Sequence, residues 1–222
     1  MPKPGYFMEK ELKKALLDEY LAEMFRSAGY GGLDLIKTPI GTRITIRALR
    51  PGLVIGRRGA KIKGVGSEIE EKFGYPNPVV SVVEVPIPEF EPSIMAWQVA
   101  RSLSRGYRYR RVGFWVLRSI MEAGAIGAEI VISGKLRTRR SRYEKFSGGV
   151  FLKSGELAEK IVRRGKAEVL LKSGMIGIKV LVMPPSPEYE EYLMAEAETR
   201  SGEEVEELVE GEIEGSGEEQ EV

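Results

Sequence analysis

Two proline-rich segments divide this chain of 222 residues into parts that do not share a continuous helix or strand. One covers residues 86–92 and the other covers residues 184–187, and each contains three prolines. Proline lacks the backbone N–H that helices and sheet ladders need, so regular structure is expected to stop at both places. We therefore predict a folded domain over 1–86, a second over 93–183, and a tail over 184–222.

The net charge changes sign where the predicted tail begins. The tail holds one base, Arg200, and 15 Asp or Glu residues, which gives a net charge of −14, whereas residues 1–183 carry +15. An acidic segment with few large apolar groups does not form a core, so we expect disorder in the tail. A strongly basic body indicates a polyanionic partner, most often a nucleic acid.

The composition leaves few residues for catalysis or metal binding. The chain has no cysteine and no histidine, and its only aspartates are Asp18 and Asp34. Disulfides, thiol nucleophiles, histidine bases and zinc sites of His and Cys are therefore excluded. Neither the P-loop pattern nor GxGxxG occurs, so nucleotide-dependent chemistry lacks its usual loop. We expect no enzyme activity, catalytic residue, metal site or cofactor, with Mg²⁺ acting only as an RNA counterion.

The sequence contains no stretch that approaches the roughly 18 consecutive apolar residues of a membrane-spanning helix. The opening residues Met1–Gly5 have no apolar signal core behind them. Together these two observations predict a protein of the cytoplasm that has no membrane partner.

The first domain is predicted to contain a helix, two strands, two helices and a third strand, in that order. Apolar residues at four-residue spacing indicate the first helix, and alternation of apolar and polar residues indicates the second strand. The last strand is an apolar, β-branched run, which is typical of a buried strand. The predicted ranges are 8–28, 33–40, 42–49, 53–55, 60–73 and 79–85.

The second domain is predicted to begin with two helices, followed by four strands with a short helical connector after the second of them. The last strand alternates strictly, and Lys172-Ser173-Gly174 before it offers a tight hairpin turn. Trp97 and Trp115 fall among apolar residues of the two helices and are predicted to lie in the core. The predicted ranges are 93–105 and 109–123 for the helices, 127–133, 145–152, 167–171 and 175–183 for the strands, and 156–164 for the connector.

The segment Gly56-Arg57-Arg58-Gly59 lies between two predicted helices and is the first candidate nucleic-acid site. Its glycines allow a sharp turn and a close approach of the backbone to a ligand, and the next helix begins with free amides. Arg57, Arg58 and Lys61 add charges that can clamp a phosphodiester backbone. With the predicted order of elements, this loop resembles that of the type II KH domain, which holds about four nucleotides of single strand. A solvated turn in another α/β fold is the alternative.

A second candidate site lies where the two predicted helices of the second domain meet. Its members are Arg105, Arg108, Arg110 and Arg111, with Arg101 one turn earlier and Tyr107 and Tyr109 interleaved. No acidic residue occurs between Glu91 and Glu122, so nothing nearby in the sequence neutralises these arginines. Unpaired arginines beside tyrosines suit phosphate contact and base stacking, whereas the alternative is a solvated helix face.

A third candidate site lies between the first two strands of the second domain. Its members are Lys135, Arg137, Arg139, Arg140, Arg142 and Lys145. The only acid among them is Glu144, so a hairpin of this composition would repel itself unless it lay on a polyphosphate. Such an arm supplies electrostatic affinity and does not read base sequence.

Six short motifs occur in a defined order and spacing along residues 8–183. They are Arg50-Pro51-Gly52, Val54–Gly59, Tyr109-Arg110-Arg111, Ile120–Ala125, Ser133–Arg137 and Gly174–Val180. In this order they resemble the family of the KH-containing ribosomal small-subunit protein called S-three, in its archaeal and eukaryotic form. The resemblance implies an α+β chain in which a type II KH domain is followed by a two-helix, four-stranded α/β domain.

The resemblance also implies a structural role in translation. Members of that family bind small-subunit ribosomal RNA in the head of the subunit and help to line the mRNA entry channel beside two neighbouring ribosomal proteins. Their arginines that match Arg110 and Arg111 face incoming mRNA, and the stretch that matches 135–145 lies on ribosomal RNA. Bacterial members have a further basic residue one turn later, where this chain has Phe114, so the bacterial arrangement is carried over only in part.

Two other functions remain open from the sequence. A free-standing KH protein that regulates cellular RNAs would have the same fold and the same Gly56–Gly59 loop, although it would not need three separate basic sites. A lyase that acts on abasic sites through a lysine Schiff base would need a lysine of depressed pKa, which a sequence does not reveal. The regulator is the main alternative to a ribosomal protein.

Overall fold

The computed structural model describes residues 4–38, 41–187, 189, 192 and 194. One compact unit contains residues up to Phe151 together with Val162–Pro184, and a second contains Leu152–Ile161. Both predicted folded domains have most of their residues in the first unit, so the boundary between them stays a prediction. The predicted disorder of the tail falls on residues that lie, beyond Pro187, almost entirely outside the described part of the chain.

The first half of the chain forms a three-stranded sheet and helices. Apolar side chains of both share one hydrophobic core. The elements of this half are α1 (Pro4–Met24), β1 (Tyr30–Thr38), β2 (Gly41–Ala48), α2 (Pro51–Ile55), α3 (Ala60–Phe73) and β3 (Pro78–Glu84). Strand β2 is central, antiparallel to β1 and parallel to β3, and the crossover from β2 to β3 contains α2 and α3. Leu21 of α1 and Ile69 of α3 pack with Ile44 and Ile46 of β2.

The predicted order of elements in this half is confirmed. Helix α3 spans the predicted residues and stops at Gly74, whose φ of 67° closes the helix in the left-handed conformation. Helix α1 stops at Met24, earlier than predicted, and a short 3₁₀ turn over Arg26–Ala28 follows it. The chain then turns at Gly29, which has a φ of 74°.

The prediction that the third strand is buried is wrong. Val80 and Val82 pack against the core, but Val79 and Val83 are 59% and 50% exposed. β3 is an edge strand of the sheet, and Val79 lies beside the exposed Arg43 of β2. The β-branched run therefore reflects the preference of such side chains for extended backbone and not burial of both faces.

The second half contains two helices and a four-stranded antiparallel sheet, which confirms the predicted α+β class. Its elements in this unit are α4 (Pro92–Ser104), α5 (Tyr109–Glu122), β4 (Gly127–Gly134) and β5 (Arg142–Gly149), then two last strands over Arg163–Leu171 and Gly174–Met183. The second compact unit contributes α6 (Glu156–Ile161), so the last strands are β6 and β7 in chain order. The strand order is β5-β4-β7-β6. β5 begins at Arg142, before the predicted Lys145, because β4 and β5 stay paired in one register as far as the pair Gly134 and Arg142.

Helix α4 packs tightly in the first unit, on the second sheet and close to the first. It lies on β6, where a Cβ at Gly165 would come within 2.3 Å of the carbonyl carbon of Pro92. Near β1, a Cβ at Gly31 would come within 3.5 Å of Cδ1 of Ile94. The backbone of α4 is therefore held by direct contact, which fixes the direction of its outer face.

Glu91 lies in the predicted linker and is the centre of two ion pairs. Its side chain is 13% exposed, with Oε1 lying 3.1 Å from Nη1 of Arg163 in β6 and 3.6 Å from Nη1 of Arg47 in β2. The sequence suggests that Glu89 and Glu91 are solvated in a linker, and for Glu91 this is wrong. One carboxylate instead connects the two sheets.

Replacing Glu91 with glutamine is expected to lower the free energy of unfolding by about 2 kcal/mol, because two arginines lose a partly buried partner. Glu89→Gln is the matched control, since the described residues show no ion pair for Glu89, and it should change stability by less than about 0.5 kcal/mol. Urea unfolding followed by circular dichroism measures both. Equal effects would mean that these ion pairs do not stabilise the fold.

Candidate nucleic-acid interface

The loop Gly56-Arg57-Arg58-Gly59 joins α2 to α3 in a conformation that requires glycine. Gly56 has φ 72° and ψ −177°, a region that is essentially restricted to glycine. A Cβ on Gly56 would also lie 2.8 Å from Cγ of Lys61. The first glycine of the predicted site is therefore needed both for the turn and for the close packing against α3.

The rest of this loop presents charge and backbone to solvent. Arg57, Arg58 and Lys61 are all exposed, and Arg58 has a φ of 51°, in the left-handed region. Gly59 has a φ of 73°, and no atom lies within 4 Å of the position a Cβ would take. A ligand can therefore approach the peptide backbone at Gly59 while the two arginines reach its phosphates.

The second candidate site surrounds the start of α5. Arg105 and Arg108 precede the helix, Arg110 and Arg111 lie in its first turn, and all four are exposed. The interpretation that nothing neutralises these charges is wrong for Arg110. Its Nη2 lies 2.9 Å from Oε1 of Glu144 in β5, and its Nε donates to Oε2 at 3.2 Å.

Glu144 is held by more than one donor. The hydroxyl of Tyr109 donates to Oε1 of Glu144 at 3.0 Å. The hydrogen bond from Arg110 is the main cause that lowers the pKa of the Glu144 carboxyl, and the same contact raises the pKa of the Arg110 guanidinium. The positive charge of Arg137 also lowers the pKa of this carboxyl, so Glu144 stays ionised at a lower pH than an ordinary glutamate does.

The third candidate site is the loop between β4 and β5 with the start of β5. Its basic side chains are all exposed, and they are Lys135, Arg137, Arg139, Arg140, Arg142 and Lys145. Lys145 differs from the others because its Nζ lies 2.6 Å from Oε2 of Glu129 on β4. The contact between Arg110 and Glu144 brings the second and third sites together, whereas the Gly56–Gly59 loop lies in the first half of the chain.

Replacing Glu144 with glutamine is expected to raise the affinity for single-stranded RNA about five-fold at 0.1 M salt, because Arg110 becomes free for one more phosphate contact. Glu122→Gln is the matched control, since it removes the same charge and releases Arg118, which lies outside the predicted sites. Fluorescence anisotropy of a labelled oligonucleotide measures both. Equal gains would attribute the effect to net charge and not to Arg110.

Trp115 is 51% exposed, so the prediction that it lies in the core is wrong. Trp97 is half-buried and packs against the core, as predicted, with part of its indole left accessible. The buried residues of α5 are Val112, Gly113, Val116, Leu117 and Ile120. At 3.6 residues per turn, Trp115 lies about 130° from the centre of that buried stripe, and this signal was available in the sequence.

Among the described residues there is no group of three or more acidic side chains that could hold a metal ion. Nor does the described part of the chain include a helix with the length and apolar character to cross a bilayer.

Comparison with known proteins identifies a family for each half of the chain. Residues 16–90 match the KH domain family, and residues 99–182 match the family described as ribosomal protein S3, C-terminal domain. Small ribosomal subunit protein uS3 of Ignicoccus hospitalis is 46% identical over 204 residues, which are 92% of this chain and 84% of the relative. The chain belongs to the uS3 family.

Two further relatives extend the comparison across archaea. The uS3 protein of Sulfurisphaera tokodaii is 45% identical over 180 residues, covering 81% of this chain and 80% of its own. That of Haloarcula marismortui is 43% identical over 218 residues, covering 95% of this chain and 72% of its own. Membership of the family confirms the predicted type II KH domain and C-terminal domain, and a structural protein of cytoplasmic ribosomes that is not an enzyme. Membership of this family favours the structural role over the lyase alternative.

Proposed function

We propose that this chain is built into the small ribosomal subunit, binds ribosomal RNA in the head of the subunit, and helps to line the mRNA entry channel. The observation that carries the proposal is the exposure of all thirteen predicted RNA-binding Arg and Lys side chains on a folded core. Fixed cations on a rigid support provide phosphate contacts without any catalytic group. Neighbouring ribosomal proteins are further partners, and Mg²⁺ serves only as a counterion of the RNA.

The roles of the three sites differ in this proposal. Arg110 and Arg111, which lie together in the first turn of α5, are assigned to mRNA because the resemblance to the family implies that role. The β4–β5 loop is assigned to ribosomal RNA for the same reason, and its exposed arginines supply sequence-independent affinity. The Gly56–Gly59 loop holds a single-stranded segment, because its open backbone at Gly59 suits the approach of a phosphodiester.

Sedimentation of a native lysate through a sucrose gradient with Mg²⁺ tests the proposal. Mass spectrometry of the fractions should find the protein in stoichiometric amounts with the small subunit, also after a moderate salt wash. A protein that remains at the top of the gradient would favour the free-standing KH regulator. Sequencing of the RNA that co-purifies with it would then identify the messages it binds.

A further inference from the structure

A groove of about 860 Å³ lies in the first compact unit, and most of its lining lies outside the three predicted sites. One wall consists of the turn after α1 and the residues that join β2 to α2. Backbone hydrogen bonds hold this wall, from the N–H of Leu49 to the carbonyl of Gly29 at 2.9 Å and from the N–H of Arg50 to that of Ala28 at 3.0 Å. The volume falls within the roughly 300–1,000 Å³ of small-ligand sites.

The other wall is one face of helix α4. It is formed by Ile94, Trp97, Gln98 and Arg101, with Arg105 just after the end of the helix, and each of them has another member three or four residues away. Side chains at such spacing lie on the same side of a helix. Trp115 of α5 completes the lining.

The groove is positively charged. It is lined by four arginines and by no acidic residue. They are Arg26, Arg50, Arg101 and Arg105. Within the described part of the chain, Arg50, Arg101 and Arg105 form no ion pair, so their charges are directed to solvent or to a ligand.

The two indoles of the groove are placed differently. The guanidinium carbon of Arg26 lies 3.7 Å from the centre of the Trp97 ring, and Arg26 also donates to the backbone carbonyl of Glu168 at 3.0 Å. One face of Trp97 is therefore covered by a fixed cation. Trp115 is half exposed and has no ring partner among the described residues, so it offers a free aromatic surface.

We propose that this groove binds an unpaired nucleotide of single-stranded RNA, with the base stacked on Trp115 and the flanking phosphates on Arg101 and Arg105. The assignment rests on the proposed function in so far as the ligand is RNA. An RNA base offers a flat π surface to Trp115, and the flanking phosphates offer the negative charge that pairs with the arginines. Proteins usually hold single strands in this way. An acidic peptide would satisfy the arginines but would leave the indole without a flat partner.

Intrinsic fluorescence tests the proposal directly, because Trp97 and Trp115 are the only tryptophans of the chain and both line the groove. The full chain is titrated with the RNA octamers A₈ and U₈, and total binding is followed by anisotropy of the same octamers carrying a dye. Single strands should quench the tryptophan emission in step with the anisotropy. A duplex RNA, which has the phosphates but no unstacked bases, should bind without comparable quenching.

Two pairs of variants identify the residues. Trp115→Leu is expected to weaken binding of A₈ on the order of ten-fold, as expected for the loss of one stacked base. Phe114→Leu is the matched control, because Phe114 is the neighbouring exposed aromatic residue and lies outside the groove, and it should stay within about two-fold. Arg101→Gln should weaken binding more than Arg118→Gln, which removes a charge outside the groove. Thermal melting verifies that each variant is folded.

The outcomes separate this inference from the proposed function. Binding of A₈ without quenching, together with equal affinities of the Trp115 and Phe114 variants, would overturn the assignment of a nucleotide to the groove. RNA binding by the protein would remain intact. Failure of all RNAs to bind would overturn the proposed function. Equal quenching by a glutamate-rich peptide of the same charge, at the same salt concentration, would overturn the assignment to RNA in favour of a protein partner.

Discussion

Loss of the four arginines around the start of β5 is expected to lower the affinity for single-stranded RNA about 600-fold at 0.1 M salt. The four are Arg137, Arg139, Arg140 and Arg142, each replaced by glutamine. Each phosphate contact with a single strand adds about 0.7 to the steepness of log affinity against log salt. Because 0.1 M lies one decade below 1 M, each contact that is lost lowers the affinity at 0.1 M about five-fold. The slope should therefore fall from about −6, for eight contacts, to about −3. Anisotropy titrations at several salt concentrations measure it.

The control for this prediction removes the same charge from another surface. It replaces four exposed bases of β6, β7 and their turn with glutamine. They are Arg164, Lys166, Lys172 and Lys179. This variant should keep a slope near that of the unchanged protein. An equal fall in both would mean that RNA responds to net charge alone, and the placement of the third site would lose its support.

Replacing Gly165 with alanine is expected to lower the free energy of unfolding by about 3 kcal/mol. The new Cβ would lie 2.3 Å from the carbonyl carbon of Pro92 and 2.5 Å from the N of Ser93. These are backbone atoms of the first turn of α4, so no side-chain rotation relieves the clash. The melting temperature should fall by about 6–12 °C for a chain of this size, which differential scanning calorimetry measures.

Gly64→Ala is the matched control for Gly165. Gly64 lies inside α3, is exposed, and has no atom within 4 Å of the place a Cβ would take. Alanine is the better helix former, so this variant should be more stable by about 0.5–1 kcal/mol. A melting temperature for Gly165→Ala at or above that of the unchanged protein would contradict the close contact between α4 and β6.

Much of the fold could be predicted because local rules govern it. The bounds of α3 follow from an apolar stripe that ends at a glycine able to adopt a positive φ. The two helices and four strands of the second half follow from switches between helical and alternating patterns. The burial of β3 could not be predicted in this way, because a β-branched run has the same sequence at the edge of a sheet as at its centre.

The exposure of the basic clusters could be predicted for a related reason. Lys and Arg are almost never buried without a partner, so clusters with few acids nearby are exposed in any fold that the chain adopts. The side chains that pair with these charges were harder to predict. Arg110 and Glu144 are 34 residues apart in the chain, and only the packing of α5 beside β5 makes them hydrogen-bonded neighbours.

The sequence by itself determined which residues share a helix face, where α3 ends, and which clusters must remain charged and exposed. Only the tertiary structure decided what lies opposite each face. Trp97 and Arg101 share one side of α4 in any helix of this sequence, but they become one wall of a groove because Gly165 and Ile94 hold that helix close to both sheets. The periodicity of a helix or strand sets the side on which each of its side chains lies. A site between elements depends instead on contacts between residues that are distant in the chain.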